Sequence, residues 1–247
     1  MASKSVLITG ANRGLGRGLA ERFLAQPNHT VVAAVRNPED ETVRVLAGLP
    51  KGSGSNLVVV KYNALVEQDA FDLVNELQEK HGIKHLDIVI PNAGTGKVYP
   101  LVREVKRQDI QEHIELNAYS VVSLYQSTRE LLEASPNTPI FAPMGSSAGA
   151  LARQPPVPNA AYGASKALLP WYVVRITAED EWLTAFVLDP GFVQTETGNS
   201  AALIFGMREA PVTVADSADG MFKLLNMATR EEHGGKVVLF TGEVQLY

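Results

Sequence analysis

The order of the apolar runs constrains this fold more than any other feature of the sequence. Seven short runs, at 6–9, 30–35, 57–62, 86–90, 139–144, 184–188 and 236–240, alternate with longer helix-like patterns at 14–26, 66–81, 106–133, 159–180 and 213–229. Most of the short runs are continuous in Val, Ile and Leu. Such runs suit strands buried on both faces, and their alternation with helices predicts a parallel sheet covered on each side. The expected class is α/β, a single Rossmann-type doubly wound parallel sheet of about seven strands flanked by helices. The Gly/Ser-rich stretch 51–55 and the Pro-rich stretch 154–158 are too short to divide the chain, so residues 1–247 are expected to form one domain.

Composition narrows the partners. Lys and Arg total 22 against 27 Asp and Glu, a net charge of −5 that disfavours nucleic acid or an anionic membrane as the main partner. The absence of cysteine excludes disulfides, a thiolate nucleophile and cysteine metal sites. The five histidines show no metal-ligand spacing. No run approaches the ~18 apolar residues of a membrane span, and no basic tip precedes an apolar segment at the start. A cytoplasmic protein acting on a small molecule is expected. Residues 194–212 lack a period but carry Leu203, Ile204, Phe205 and Met207 among glycines and a proline. A long apolar loop after a strand's carboxyl end reads as a substrate lid.

Two places carry chemistry. The first strand runs into TGANRGLG, Thr9 to Gly16. Gly10 suits a tight turn, Gly14 and Gly16 admit a diphosphate close to the backbone, and the helix that follows offers free N–H groups and a partial positive charge. The second strand ends at Arg36, where an NAD site would place an acid. With Arg13 in the glycine loop, two guanidiniums suit a 2′-phosphate and predict NADP(H). Further along, Tyr162 and Lys166 share one helix face, so an ammonium can lower the phenol's pKa for proton exchange with a carbonyl oxygen. Ser146 or Ser147, after the fifth strand, offers a hydroxyl to that oxygen. Asn117 shares a helical stripe with Ile110, Ile114, Val121 and Leu124, so its amide is buried and needs partners.

The Gly-x3-Gly-x-Gly spacing at 10–16 and the Tyr-x3-Lys of 162–166 resemble the short-chain dehydrogenase/reductase family, from about Val6 to Gly242. The resemblance implies reversible, NADPH-dependent reduction of a carbonyl. Tyr162 would protonate the oxygen and Ser146, three residues before Gly149, would orient it. Lys166 would tune Tyr162 and hold the ribose, and Asn117 would hold a water in a proton relay. Cofactor contacts would come from Gly10, Arg13, Gly14, Leu15 and Arg36, and from Asn63 where the family usually has Asp. Asn92, Ala93 and Gly94 follow in a PNAG turn whose Pro91 replaces an Asn, then Pro190, Gly191, Val193 and Thr195 in DPGFVQT, beside Tyr162 and Lys166. The family's members commonly pair through the helices at 106–133 and 159–180, which implies a homodimer or homotetramer. The loops RGLGRGL, VRNP and PNAG are similar to those of fungal ketoreductases, which implies a polyketide or other secondary metabolite as substrate. Two alternatives stay open: an NADP(H)-binding protein without redox chemistry, and an alcohol dehydrogenase working oxidatively.

Some features conflict with the pattern. Ser146 lies 16 residues before Tyr162, more than the family's usual spacing, and 153–161 is expected to bulge outward. Pro170 is expected to kink its helix, and Pro139 and Pro143 to disturb the fifth strand.

Overall fold

A computed structural model describes residues 3–247. Strands β1 (Lys4–Thr9), β2 (His29–Val35), β3 (Asn56–Lys61), β4 (Ile88–Ile90), β5 (Ile140–Phe141) and β6 (Thr184–Ala185) form a parallel sheet in the order β3-β2-β1-β4-β5-β6. β7 (Val187–Asp189) follows β6 after one residue and pairs in parallel with β8 (Val237–Leu239), which pairs antiparallel with β9 (Val244–Gln245). Hydrogen bonds from Phe186 to Phe141 and from Leu188 to Pro143 carry the first sheet into the second.

Side chains alternate across the strands and build two cores. Val6 and Ile8 of β1 point to one face, where α1 (Gly14–Leu24) contributes Leu19 and Phe23 and α8 (Val214–Met227) contributes Met221 and Leu224. Leu7 points to the other, against Leu73 and Leu77 of α3 (Glu67–Glu79), Leu124 and Leu131 of α5 (Ser120–Glu133), and Leu169 and Val173 of α6 (Tyr162–Glu179). These strand residues are fully buried, as their unbroken apolar runs require. No helix among the described residues is long and apolar enough to cross a membrane.

Several expectations are corrected. The helix expected over 106–133 is three segments: α4 (Arg107–Ile114), a π-helical turn (Glu115–Tyr119) and α5. A π-turn inserts one extra residue, so Asn117 is displaced from the simple stripe while still buried. The stretch 194–212 contains α7 (Glu196–Ile204), capped by the Thr195 hydroxyl, which accepts from Gly198 N–H at 3.0 Å. Its apolar residues had hidden the helix because only Ala201 and Ala202 are buried, while Leu203 and Ile204 stay exposed. The short helices α2 (Glu41–Ala47) and α9 (Arg230–His233), and strand β9, were also unforeseen.

The fifth strand shows how its prolines are accommodated. Ile140, Ala142 and Met144 donate to β4 and its extension, at 2.8–3.0 Å. Pro139 and Pro143 occupy the alternate register, where their carbonyls accept from Thr184 and Leu188. The missing N–H groups cost strand length, leaving two residues in β5, but not the pairing. α6 runs through Pro170 without a break, anchored by buried Leu169, Val173 and Ile176.

Candidate active site

The phosphate end is built from backbone. Gly10 and Gly14 have φ of +63° and +52°, so the chain doubles back under the start of α1. Gly16 packs so closely that a Cβ there would lie 2.3 Å from the Gly10 carbonyl oxygen. Arg13 occupies the N-cap without a side-chain cap, and the first turn holds no acid. The free N–H groups and dipole of α1 therefore face outward, as a diphosphate requires. The PNAG turn is tied to this loop. Thr9 Oγ1 accepts from the Asn92 and Ala93 N–H groups at 2.9 and 2.8 Å, and Asn92 Nδ2 donates to Thr9 O at 2.8 Å.

Arg36 is exposed just beyond β2, within electrostatic reach of Asp40, as is Arg13. Thr42 hydrogen bonds, with smaller help from the two guanidiniums, hold the Asp40 carboxyl below its usual range. Arg13 Nη1 meets Glu196 at 2.8 Å at the head of α7, an exposed pair that costs little to exchange. Asn63 receives no support as an adenine contact from the cavity's outline. Its N–H donates to Asp69 at 2.9 Å and its Oδ1 accepts from Leu65 N–H at 3.2 Å.

The reacting end is built from side chains. A cavity of about 600 Å³ runs from Gly10, Arg13, Gly14 and Leu15 to Ser146, Tyr162 and Lys166. Asn92, Gly94, Pro190, Gly191, Val193 and Thr195 also line it; Arg36, Asn63, Ala93 and Asn117 do not. Ser146 begins a short helical turn (Ser147–Gly149). Gly149 lets that turn press on α6, since a Cβ there would stand 2.6 Å from the Lys166 carbonyl carbon. This packing turns the Ser146 hydroxyl toward the Tyr162 phenol. Lys166 Nζ donates to Met144 O at 2.8 Å and lies 5.9 Å from the Tyr162 ring centre. Asn117 accepts from Thr95 N–H at 2.8 Å and donates to Thr95 O and Ser165 Oγ, both at 2.9 Å. The amide is satisfied within the protein and fixes the segment that follows PNAG.

The electrostatics differ from the sequence expectation. Burial raises the Tyr162 pKa well above the ordinary phenol value, although the Ser146 hydrogen bond opposes the rise. Burial also lowers the Lys166 ammonium to about 8. The ammonium does not depress the phenol because desolvation of the phenolate outweighs it. Tyr162 is thus a protonated acid at neutral pH.

The substrate end escaped the sequence reading almost entirely. Tyr99 packs edge-on to Tyr162 and to Phe205, with ring centres 6.0 and 5.3 Å away, and Phe192 lies 6.4 Å from Phe205. The loop 153–161 does not simply bulge outward, because Pro155, Val157 and Asn159 line the cavity. Asn159 also accepts from Gly163 N–H at 3.0 Å, fixing the start of α6. An Asn just before a helix was the one available signal.

The family profile described as short chain dehydrogenase matches residues 4–202. The chain belongs to that family. It is 40% identical over 237 residues to norsolorinic acid ketoreductase nor1 of Dothistroma septosporum, covering 94% of this chain and 88% of that one. It is 38% identical over 243 residues to norsolorinic acid ketoreductase of Aspergillus parasiticus, covering 97% and 89%. Its fold matches that of NADPH-bound carbonyl reductase from chicken fatty liver with a TM-score of 0.87 and 24% identity, over 100% of both chains.

Proposed function

We propose that this chain reduces a ketone to an alcohol with NADPH, on a polyketide or related secondary metabolite. One observation carries the reading: a half-buried phenol held in its protonated form, Tyr162, stands with Ser146 and Lys166 in a cavity continuous with a phosphate-ready glycine loop. The loop and the α1 N-terminus would hold the diphosphate, and Arg13 and Arg36 the 2′-phosphate. Val193 and Thr195 would receive the carboxamide, and Lys166 the ribose. NADPH, when bound, supplies the hydride.

The residues of the chain do the rest. Ser146 donates to the carbonyl oxygen and holds it beside the phenol. As charge grows on that oxygen, Tyr162 Oη gives up its proton, and the carbonyl π electrons become the new O–H bond. The Lys166 ammonium stabilises the phenolate left behind until it is reprotonated. Asn117 would keep Thr95 and Ser165 in place beneath this relay. The aromatic wall of Tyr99, Phe192 and Phe205 supports a flat, apolar substrate, and α7 with its flanks, 194–212, would close over it as a lid on the single domain. The two norsolorinic acid ketoreductases support the same substrate class. Exposed Tyr119, Trp171 and Val174 near α5 and α6 support pairing into a homodimer or homotetramer, and a cytoplasmic location fits the cofactor.

The test is calorimetric titration with NADPH and NADH. Wild type is expected to prefer NADPH, and Arg36→Ala to weaken NADPH binding about tenfold or more, the loss of one charge-assisted contact, while leaving NADH unchanged. Equal affinity for both nucleotides in wild type overturns the cofactor assignment.

A further inference from the structure

Of the buried acids that the mechanism leaves unused, one lies behind the reacting groups. Asp189 ends β7 and is wholly shielded from solvent. Its Oδ1 accepts from Gly191 N–H at 2.9 Å, but its buried Oδ2 closes no hydrogen bond. A carboxylate so placed is costly unless nearby charge offsets the burial. Two cations are at hand. Arg153 Nη2 stands 3.9 Å from Oδ2. Lys166 is the second: its Nζ is bonded to Met144 O, and Met144 pairs with Leu188, the residue before Asp189. The Ser147 N–H faces the same carboxyl. Asp189 therefore lies beneath both the lysine and the serine turn.

We propose that Asp189 is the counter-charge of Lys166, a positioning residue that keeps the lysine an ammonium through neutral pH. Only its kinetic consequence rests on the catalytic reading above; the through-space coupling of the two charges is a property of the protein itself. Burial lowers Lys166, Asp189 is the charge that opposes the fall, and the two together leave the ammonium at about 8. Burial pushes Asp189 up in turn, and Gly191 N–H, Arg153, Lys166 and Ser147 N–H pull it back. The remaining groups that face the pair do not replace it. Tyr162 and Tyr99 are phenols raised by burial. His113, from α4, accepts Lys97 N–H at Nε2 and lies edge-on to Tyr162, 6.5 Å between ring centres. Asp189 also disfavours the Tyr162 phenolate. It thus holds the lysine charged and the tyrosine protonated, the two states that carbonyl reduction requires at its outset.

The test is a carbon-13 titration of Lys166 Cε in the lysine-labelled full chain, assigned with Lys166→Arg. Wild type is expected to show its inflection near pH 8. Asp189→Asn keeps an acceptor for Gly191 N–H and removes only the charge. It is expected to move the inflection to lower pH, with proton binding at Lys166 weaker by about tenfold or more. The same inflection in both proteins overturns the proposal. Should Asp189→Asn fail to fold, Lys166→Met serves, because coupling between two sites is reciprocal. The Asp189 carboxyl must then bind its proton more tightly than in wild type, and an unchanged carboxyl titration overturns the proposal. In kinetics, an ammonium is lost as pH rises through its pKa. The alkaline fall in kcat/KM for ketone reduction is therefore expected at lower pH in Asp189→Asn. A shifted Lys166 in a protein that consumes no NADPH keeps the charge coupling and discards the catalytic reading. Ketone reduction with an unshifted Lys166 does the reverse.

Discussion

The two ends of the cavity are made of different materials. The phosphate end is backbone: a glycine turn, the bare first turn of α1, and a Thr9 hydroxyl that ties in Asn92 and Ala93. The reacting end is side chain: Ser146, Tyr162 and Lys166 on the cavity wall with the buried Asp189 behind them, drawn from three places in the sequence. A backbone site depends on what cannot be added, since any Cβ intrudes. A side-chain site depends on charge and desolvation, which the neighbouring elements supply. The two ends should therefore fail in different ways.

The largest expected effect lies at the backbone end. Gly16→Val places a Cβ against the Gly10 carbonyl, where the nearest atoms are backbone and cannot give way. NADPH binding is expected to fall below detection by calorimetry, while circular dichroism reports whether the sheet survives. Retained affinity would erase the distinction between the ends. Arg36→Ala comes next, with its roughly tenfold loss confined to NADPH, because a surface guanidinium adds to the backbone cradle without shaping it. The smallest effect is expected at the lid. Thr195→Ala removes the cap of α7 and is expected to cost that helix about 1 kcal/mol, read as faster amide exchange over 196–204. The KM values for NADPH and for substrate should both rise by a few fold, the first because the same hydroxyl is assigned to the carboxamide, with kcat nearly unchanged. A loss confined to kcat would place Thr195 with the chemistry rather than the lid.

The same contrast explains what the sequence made legible. Local rules carried the doubly wound sheet and the glycine loop, because continuous apolar runs and a positive-φ turn are written in adjacent residues. Tyr162 and Lys166 were legible because four residues on a helix fix a shared face. The direction of the Tyr162 pKa was not, since it depends on burial in the folded site, which Tyr99 and Asp189 reinforce and Ser146 opposes. Asp189 looked like an ordinary strand end until Arg153 and Lys166 arrived beside it from elsewhere in the chain. The unbroken helical stripe through Asn117 concealed the π-turn, and the helix in 196–204 left no clean period to read. Each is held by tertiary contacts: Asn117 by Thr95 and Ser165, and Asn199 of α7 by Ala210 N–H.

The central claim is that a protonated Tyr162 delivers the proton in an NADPH-driven ketone reduction. It is tested most directly by following NADPH consumption with aryl ketones, wild type against Tyr162→Phe, with the alcohol quantified in parallel. Wild type is expected to form one alcohol per NADPH consumed. Tyr162→Phe should lose about 10²–10⁴-fold in kcat, the usual worth of a positioned acid, while binding NADPH as before. Reduction at the wild-type rate without the Tyr162 hydroxyl would contradict the account.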